Sequence, residues 1–123
     1  MLYAFLCYND EKVTSSWTKE QDDAVMAKLG AVNDRLQKEG KLGPVARLQP
    51  TPAAKTLRKT QTPPLVLDGP FAETKEQLLG FYVIDCASMD EALSIARELA
   101  VANPGGAYEI RPVSFFMKGA GVG

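Results

Sequence analysis

Residues 79–86 read LGFYVIDC, the pattern SMDEALSIARELA follows at 88–100, and YEIRP follows at 108–112. The first segment is apolar at both alternating positions, as expected of a strand buried on both faces. The second carries small and branched apolar residues at i, i+3, i+4 and i+7, namely Ala92, Ile95, Ala96 and Leu99. The third reads as a final strand. This half of the chain therefore predicts strand, helix and strand, with a capping box at Ser88 and Glu91.

The N-terminal part shows the same order. Residues 2–8, LYAFLCY, are apolar throughout and predict a second strand with two buried faces. Thr18 and Gln21 match a capping box, and Gly40 suits the left-handed position after a helix. The helix between them has one apolar stripe, made of Val25, Leu29, Val32 and Leu36.

The middle of the chain is less regular. Residues 45–49 predict a strand that ends before Pro50, and residues 55–60 with 65–67 predict an exposed hairpin. The complete order is βαββαβ with an extra hairpin, so the sequence predicts an α+β, ferredoxin-like domain over residues 1–123.

This arrangement leaves one sheet face without helices. Because 2–8 and 81–84 are apolar on both faces while two helices cover only one, something else must cover the second face. The simplest cover is the same face of another copy. The strand pattern therefore predicts a homodimer.

Composition excludes several function classes. The net charge is −1, so no basic surface for nucleic acid or membrane is expected. Histidine is absent, which removes the usual general base and imidazole metal ligands; neither a metal nor a cofactor is predicted. Cys7 and Cys86 stand in apolar stretches, and no signal-peptide or spanning pattern is seen. We therefore expect a cytoplasmic protein with two buried thiols.

Residues 66–76, VLDGPFAETKE, resemble the signature of the DGPF branch of the YCII-related family. The resemblance continues through 79–82, 90–93 and 109–113, and it includes the opening strand. It implies a ferredoxin-like domain that pairs into a dimeric α/β barrel. The family's biochemical function is not established. A histidine–aspartate pair proposed for some relatives cannot exist here, and only Asp68 can correspond to its aspartate.

Asp68 is the candidate catalytic residue. It opens the turn Asp68-Gly69-Pro70, and it has two interpretations. Either it hydrogen-bonds its own turn, or it lies at the barrel mouth, where apolar neighbours raise its pKa toward the range useful for general acid–base catalysis.

The candidate ligand-binding residues are Glu73, Lys75, Arg111, Tyr8 and Tyr82. Lys75 can bind an anion while Glu73 pairs with Arg111, or the loop can be a solvated tip and Arg111 part of an internal salt bridge. The tyrosines can offer hydroxyls to a cavity or belong to the core. Two functions stay open: a small-molecule binder near Asp68, which can be a cofactor-free enzyme, or a non-catalytic regulatory partner. The resemblance links the latter to extracytoplasmic-function sigma factors.

Overall fold

The structure is a computed structural model that describes residues 1–121. It is a mixed α+β fold with one four-stranded antiparallel sheet, a two-stranded hairpin and three α-helices. The elements are, in chain order, β1 (Leu2–Asn9), α1 (Glu11–Thr14), α2 (Lys19–Lys38), β2 (Leu42–Arg47), a 3-10 turn (Thr51–Ala53), β3 (Lys55–Arg58), β4 (Leu65–Asp68), β5 (Gln77–Asp85), α3 (Met89–Ala102) and β6 (Ala107–Pro112).

The sheet has the order β2-β5-β1-β6, and every neighbouring pair is antiparallel. Phe5 on β1 stands opposite Tyr82 on β5 and Ile110 on β6, which places these three on one face. Register shifts interrupt β1–β5 between Cys7 and Tyr8, and β2–β5 between Leu42 and Val45. Such shifts increase local twist and redirect side chains, and both affect the edge where the site described below forms.

One core lies between that face and the two long helices. Phe5, Leu36, Ile84 and Leu99 are fully buried within it. The apolar stripes predicted for both helices are confirmed: Leu29 and Leu36 are buried on α2, Val25 and Val32 are partly buried against the core, and α3 buries Ala92, Ile95, Ala96 and Leu99.

Helix ends follow local side-chain chemistry. Thr18 Oγ1 accepts from Gln21 N at 3.1 Å and Gln21 Oε1 accepts from Thr18 N at 2.9 Å, so the first predicted capping box is confirmed. Only one of the two hydrogen bonds of the second predicted capping box forms: Ser88 Oγ accepts from Glu91 N. The Glu91 carboxylate instead lies 3.2 Å from Lys41 Nζ. That ion pair takes the glutamate away from the cap.

The other sheet face carries Ala4, Leu6, Phe81 and Val83, which are only half-buried. Leu6 stands opposite Phe81 and Ala4 opposite Val83, so the apolar side chains form a continuous strip. Among the described residues, no helix has the length and apolar character needed to cross a bilayer.

Candidate functional site

A cavity of about 550 Å³ lies between α2 and one end of the four-stranded sheet. The ends of β1 and β2 and the starts of β5 and β6 meet at this edge, because the strands alternate in direction. Successive turns of α2 line the opposite wall with Asp22, Met26, Gly30 and Asn33. The volume is that of a site for a small organic molecule.

The inner wall carries hydroxyl and thiol groups that keep their protons. Burial raises the pKa of the Cys7 thiol to about 12. Burial, with Cys7 nearby, also raises the pKa of Tyr108 to about 12, against a smaller opposing effect of the Asn103 amide. The pKa of Tyr82 is raised as well, first by burial and then by Tyr108 and Cys7. At neutral pH these groups are uncharged hydrogen-bond donors.

Three buried polar atoms of the lining residues have no hydrogen-bond partner of acceptable geometry within residues 1–121. They are Asn33 Oδ1 on α2, Asn103 Oδ1 after α3 and the Tyr108 hydroxyl on β6. Most buried polar atoms in proteins are paired, because an unpaired one costs about 1–3 kcal/mol. Three such atoms therefore belong to residues that line one cavity, and two of them, on Asn103 and Tyr108, are neighbours.

Three of the four charged residues of the lining already have protein partners. Arg47 donates to both carboxylate oxygens of Asp22, with Nη2 to Oδ1 at 3.0 Å and Nη1 to Oδ2 at 3.3 Å. Glu11 accepts from Thr51 twice, from the backbone N at 2.9 Å and from the hydroxyl at 2.7 Å. Lys12 is exposed. The two carboxylates are thus occupied by protein donors, and the cavity has an apolar, largely uncharged interior.

The family model of the YCII-related domain matches residues 1–117. The chain belongs to the YCII-related family. Over 120 residues, which are 97% of each chain, it is 62% identical to an uncharacterized protein of Rhizobium meliloti (strain 1021). The match includes every strand and helix that forms the cavity, and it confirms the family inferred from residues 66–76 at the level of YCII-related proteins.

In this YCII-related chain, Asp68 stands at the end of β4, on the hairpin and outside the cavity lining. Its side chain is 88% exposed, and Oδ1 accepts from Lys55 Nζ at 2.6 Å across the hairpin. The following turn is fixed by its own contacts: Gly69 N donates to Ala54 O, and Thr56 Oγ1 donates to Gly69 O. Gly69 has φ +97°, so the turn needs glycine there.

Glu73 and Lys75 are exposed in the loop before β5, and neither has an ion-pair partner within residues 1–121. Arg111 lies on the helix-free sheet face, with Nε 3.9 Å from Glu109 Oε2. The single chain thus pairs Arg111 with Glu109 and Asp68 with Lys55, and it does not join the predicted polar residues into one cluster. Within residues 1–121, no group of three potential metal-ligating acidic or cysteine side chains occurs.

Tyr8 and Tyr82 are the predicted ligand-binding residues that line the cavity. Sequence reasoning missed Asn33, Asn103 and Tyr108, since each is ordinary in its own segment. Trp17 directly precedes the N-cap Thr18, a position that predicts a hydrophobic staple for α2. The residue at the fourth helical position is the polar Asp22, and Trp17 instead lines the cavity. One sequence feature could have indicated the cavity: Gly30 and Asn33, two poor helix formers, lie about one turn apart inside α2.

Asp68→Asn is expected to change the free energy of unfolding by less than about 1 kcal/mol, because the Asp68–Lys55 pair is solvent-exposed. Urea denaturation of both proteins measures this, with Lys55→Gln as the control for the same ion pair. A loss of about 3–5 kcal/mol on Asp68→Asn alone would instead indicate a buried charged pair in the assembled protein.

Proposed function

We propose that this YCII-related protein binds a small molecule in the cavity between α2 and the sheet. The observation that carries the proposal is a cavity of about 550 Å³ around which Asn33, Asn103 and Tyr108 hold buried polar atoms that have no partner within residues 1–121. Small-molecule sites are typically apolar clefts with a few convergent polar groups, which is the composition of this lining. Tyr8 and Tyr82 keep their proposed role as ligand-binding residues.

The activity proposed is binding, and no bond-making step is assigned. Efficient acid–base catalysis needs a group that exchanges protons near the working pH. Cys7, Tyr82 and Tyr108 hold their protons well above neutral pH, and the Glu11 and Asp22 carboxylates already accept bonds from Thr51 and Arg47. The protonated Tyr82 and Tyr108 hydroxyls favour hydrogen bonding to a bound molecule.

A fragment screen with a plugged variant tests the proposal. Met26 lines the cavity from α2, so Met26→Trp should fill it, while Lys28→Trp adds the same side chain on the exposed side of the helix. In ligand-observed NMR we expect fragments that bind the wild type and Lys28→Trp but not Met26→Trp. A screen without cavity-dependent binders, or with equal binding to all three proteins, would overturn the proposal.

We also propose that the chain has the ferredoxin-like topology and pairs into a dimeric α/β barrel. The strand order β2-β5-β1-β6 with two helices on one face supports the topology. Apolar residues outside the core support the pairing: the half-buried strip around Leu6 and Phe81, and the exposed hairpin and tail residues Leu57, Val66, Phe71, Phe115 and Met117. Such surface is unusual on a monomer.

Sedimentation velocity at low micromolar concentration is expected to give twice the chain mass of 13.3 kDa. An obligate interface of this kind buries more than about 2,000 Å² of largely apolar surface, which keeps dimers together at such concentrations. A species of 13.3 kDa at every concentration would contradict the pairing. In the dimer, the exposed Asp68, Glu73 and Lys75 can approach Arg111 on the open sheet face, and that second polar cluster is part of this proposal.

The second candidate function is a non-catalytic regulatory partner in the cytoplasm. The same exposed hairpin and tail residues favour it, because they suit contact with another protein as well as with a second copy. The connection with extracytoplasmic-function sigma factors comes only from the DGPF resemblance. Sedimentation separates the alternatives, since a chain that stays monomeric leaves this surface free for a different partner.

A further inference from the structure

Gly30 occupies a position where the protein itself does not require glycine. It lies inside the 20-residue helix α2, where glycine costs about 1 kcal/mol relative to alanine. Its backbone is not in the positive-φ region, and a Cβ built there meets no atom of the described residues within 4 Å. By contrast, a Cβ at Gly80 would lie 2.5 Å from Ala46 O, so packing explains that glycine. Gly30 lines the cavity, so the missing Cβ leaves the helix backbone open to it.

The surroundings of Gly30 restrict the chemistry of that occupant. Asn33 is one turn further along α2, and its buried amide oxygen has no partner in the described part of the chain; the aromatic side chain of Tyr82 lines the opposite wall. The interior side chains are uncharged, and the carboxylates of the lining are already bound by Arg47 and Thr51. Lys12 also lines the cavity without an ion pair within residues 1–121, but its side chain is exposed to solvent. A charged group held against Gly30 and Asn33 would lose hydration beside uncharged side chains, which is costly.

We propose that the occupant is an uncharged molecule with a flat aromatic or conjugated body, which lies against the α2 backbone at Gly30 and hydrogen-bonds at its edge to Asn33. The inference rests on the proposed binding function and adds its ligand class. A flat ring fits a helix surface that lacks a Cβ, because the face of the ring can approach the helix backbone closely. An aromatic wall residue such as Tyr82 favours the same shape by stacking or edge contact.

Two dyes with the same ring system test the class. N-phenyl-1-naphthylamine is uncharged, while 1-anilinonaphthalene-8-sulfonate carries a sulfonate on the same rings. In fluorescence titrations of the wild type, we expect the uncharged dye to bind at least tenfold more tightly. Equal or tighter binding of the sulfonated dye would overturn the inference.

Gly30→Ala locates the contact. It is expected to raise the melting temperature by a few degrees, because alanine favours the helix, and to weaken binding of N-phenyl-1-naphthylamine at least tenfold. The matched control is Ala31→Gly, which makes the reverse exchange at an exposed neighbour outside the lining. It should lower the melting temperature and leave dye binding unchanged.

The outcomes separate this inference from the proposed function. If fragments bind in the cavity but the uncharged dye does not, or if Gly30→Ala binds that dye as the wild type does, the ligand class is wrong and the binding function stands. If neither dye nor any fragment binds in a Met26-dependent way, both fail.

Discussion

Leu99→Ala is expected to lower the free energy of unfolding by about 2–5 kcal/mol, a large part of the stability of a domain this size. Leu99 is 0% exposed on α3, in the cluster that contains Phe5, Leu36 and Ile84. Removal of its side chain forfeits the transfer free energy of three carbons and leaves a void that the helices and the sheet can close only in part. Urea denaturation followed by circular dichroism measures the change.

The matched control is Val101→Ala, two residues further along the same helix. Val101 is 82% exposed, so its truncation removes almost no packing, and alanine is the better helix former. We expect a change within about 0.5 kcal/mol. If Leu99→Ala and Val101→Ala cost equal amounts, the core does not lie between α3 and the sheet.

These positions also show why the fold was predictable from sequence. Both helices combine an apolar stripe with a side-chain cap, and local chemistry alone defines such segments to within a few residues. The strands β1 and β5 were evident because they are apolar on both faces. Helix α1 was missed, since four residues from Glu11 to Thr14 make barely one turn and carry no periodicity.

The candidate site was less predictable, for a reason that lies in its construction. The cavity brings Cys7, Asn33, Tyr82 and Tyr108 together from four separate elements, and the register shifts near Cys7 and Val45 shape its edge. Local patterns do not encode such long-range placement. The DGPF stretch, in contrast, is conspicuous in sequence because a Gly-Pro turn is locally encoded, yet in the single chain Asp68 is paired with Lys55 on an exposed hairpin.

The Cys7 thiol is expected to react about 50-fold more slowly with a neutral disulfide reagent at pH 8 than an ordinary cysteine. Burial raises its pKa from 9.0 to about 12, so the thiolate fraction falls about a thousandfold. A more basic thiolate is also a better nucleophile, with a Brønsted coefficient of about 0.4–0.5, which restores a factor of roughly 20. Limited access through the cavity can only slow the reaction further.

The reaction rate at Cys7 should rise with pH, because the thiolate is the reactive form. Between pH 8 and 10 the rate at Cys7 should rise about tenfold per pH unit, while the rate of N-acetylcysteine flattens as its thiol ionises. Stability should respond at higher pH: because the folded pKa of Cys7 lies above the unfolded value of 9.0, its contribution to the free energy of unfolding is complete below pH 9 and is lost as the pH rises toward 12. Circular dichroism confirms that the protein stays folded during the rate measurement.

The measurement uses 4,4′-dithiodipyridine, with peptide mapping to separate Cys7 from Cys86. Cys86 is 2% exposed and its pKa is also raised, first by burial and then by Glu91 and Asp85, so it serves as the fully buried reference. Both thiols should react at the rate of N-acetylcysteine once the chain is unfolded in guanidinium chloride. A folded-state rate at Cys7 within fivefold of N-acetylcysteine would mean that water reaches the thiol freely. In that case the inner wall of the cavity would be wet and ionisable, and it would not select an uncharged occupant.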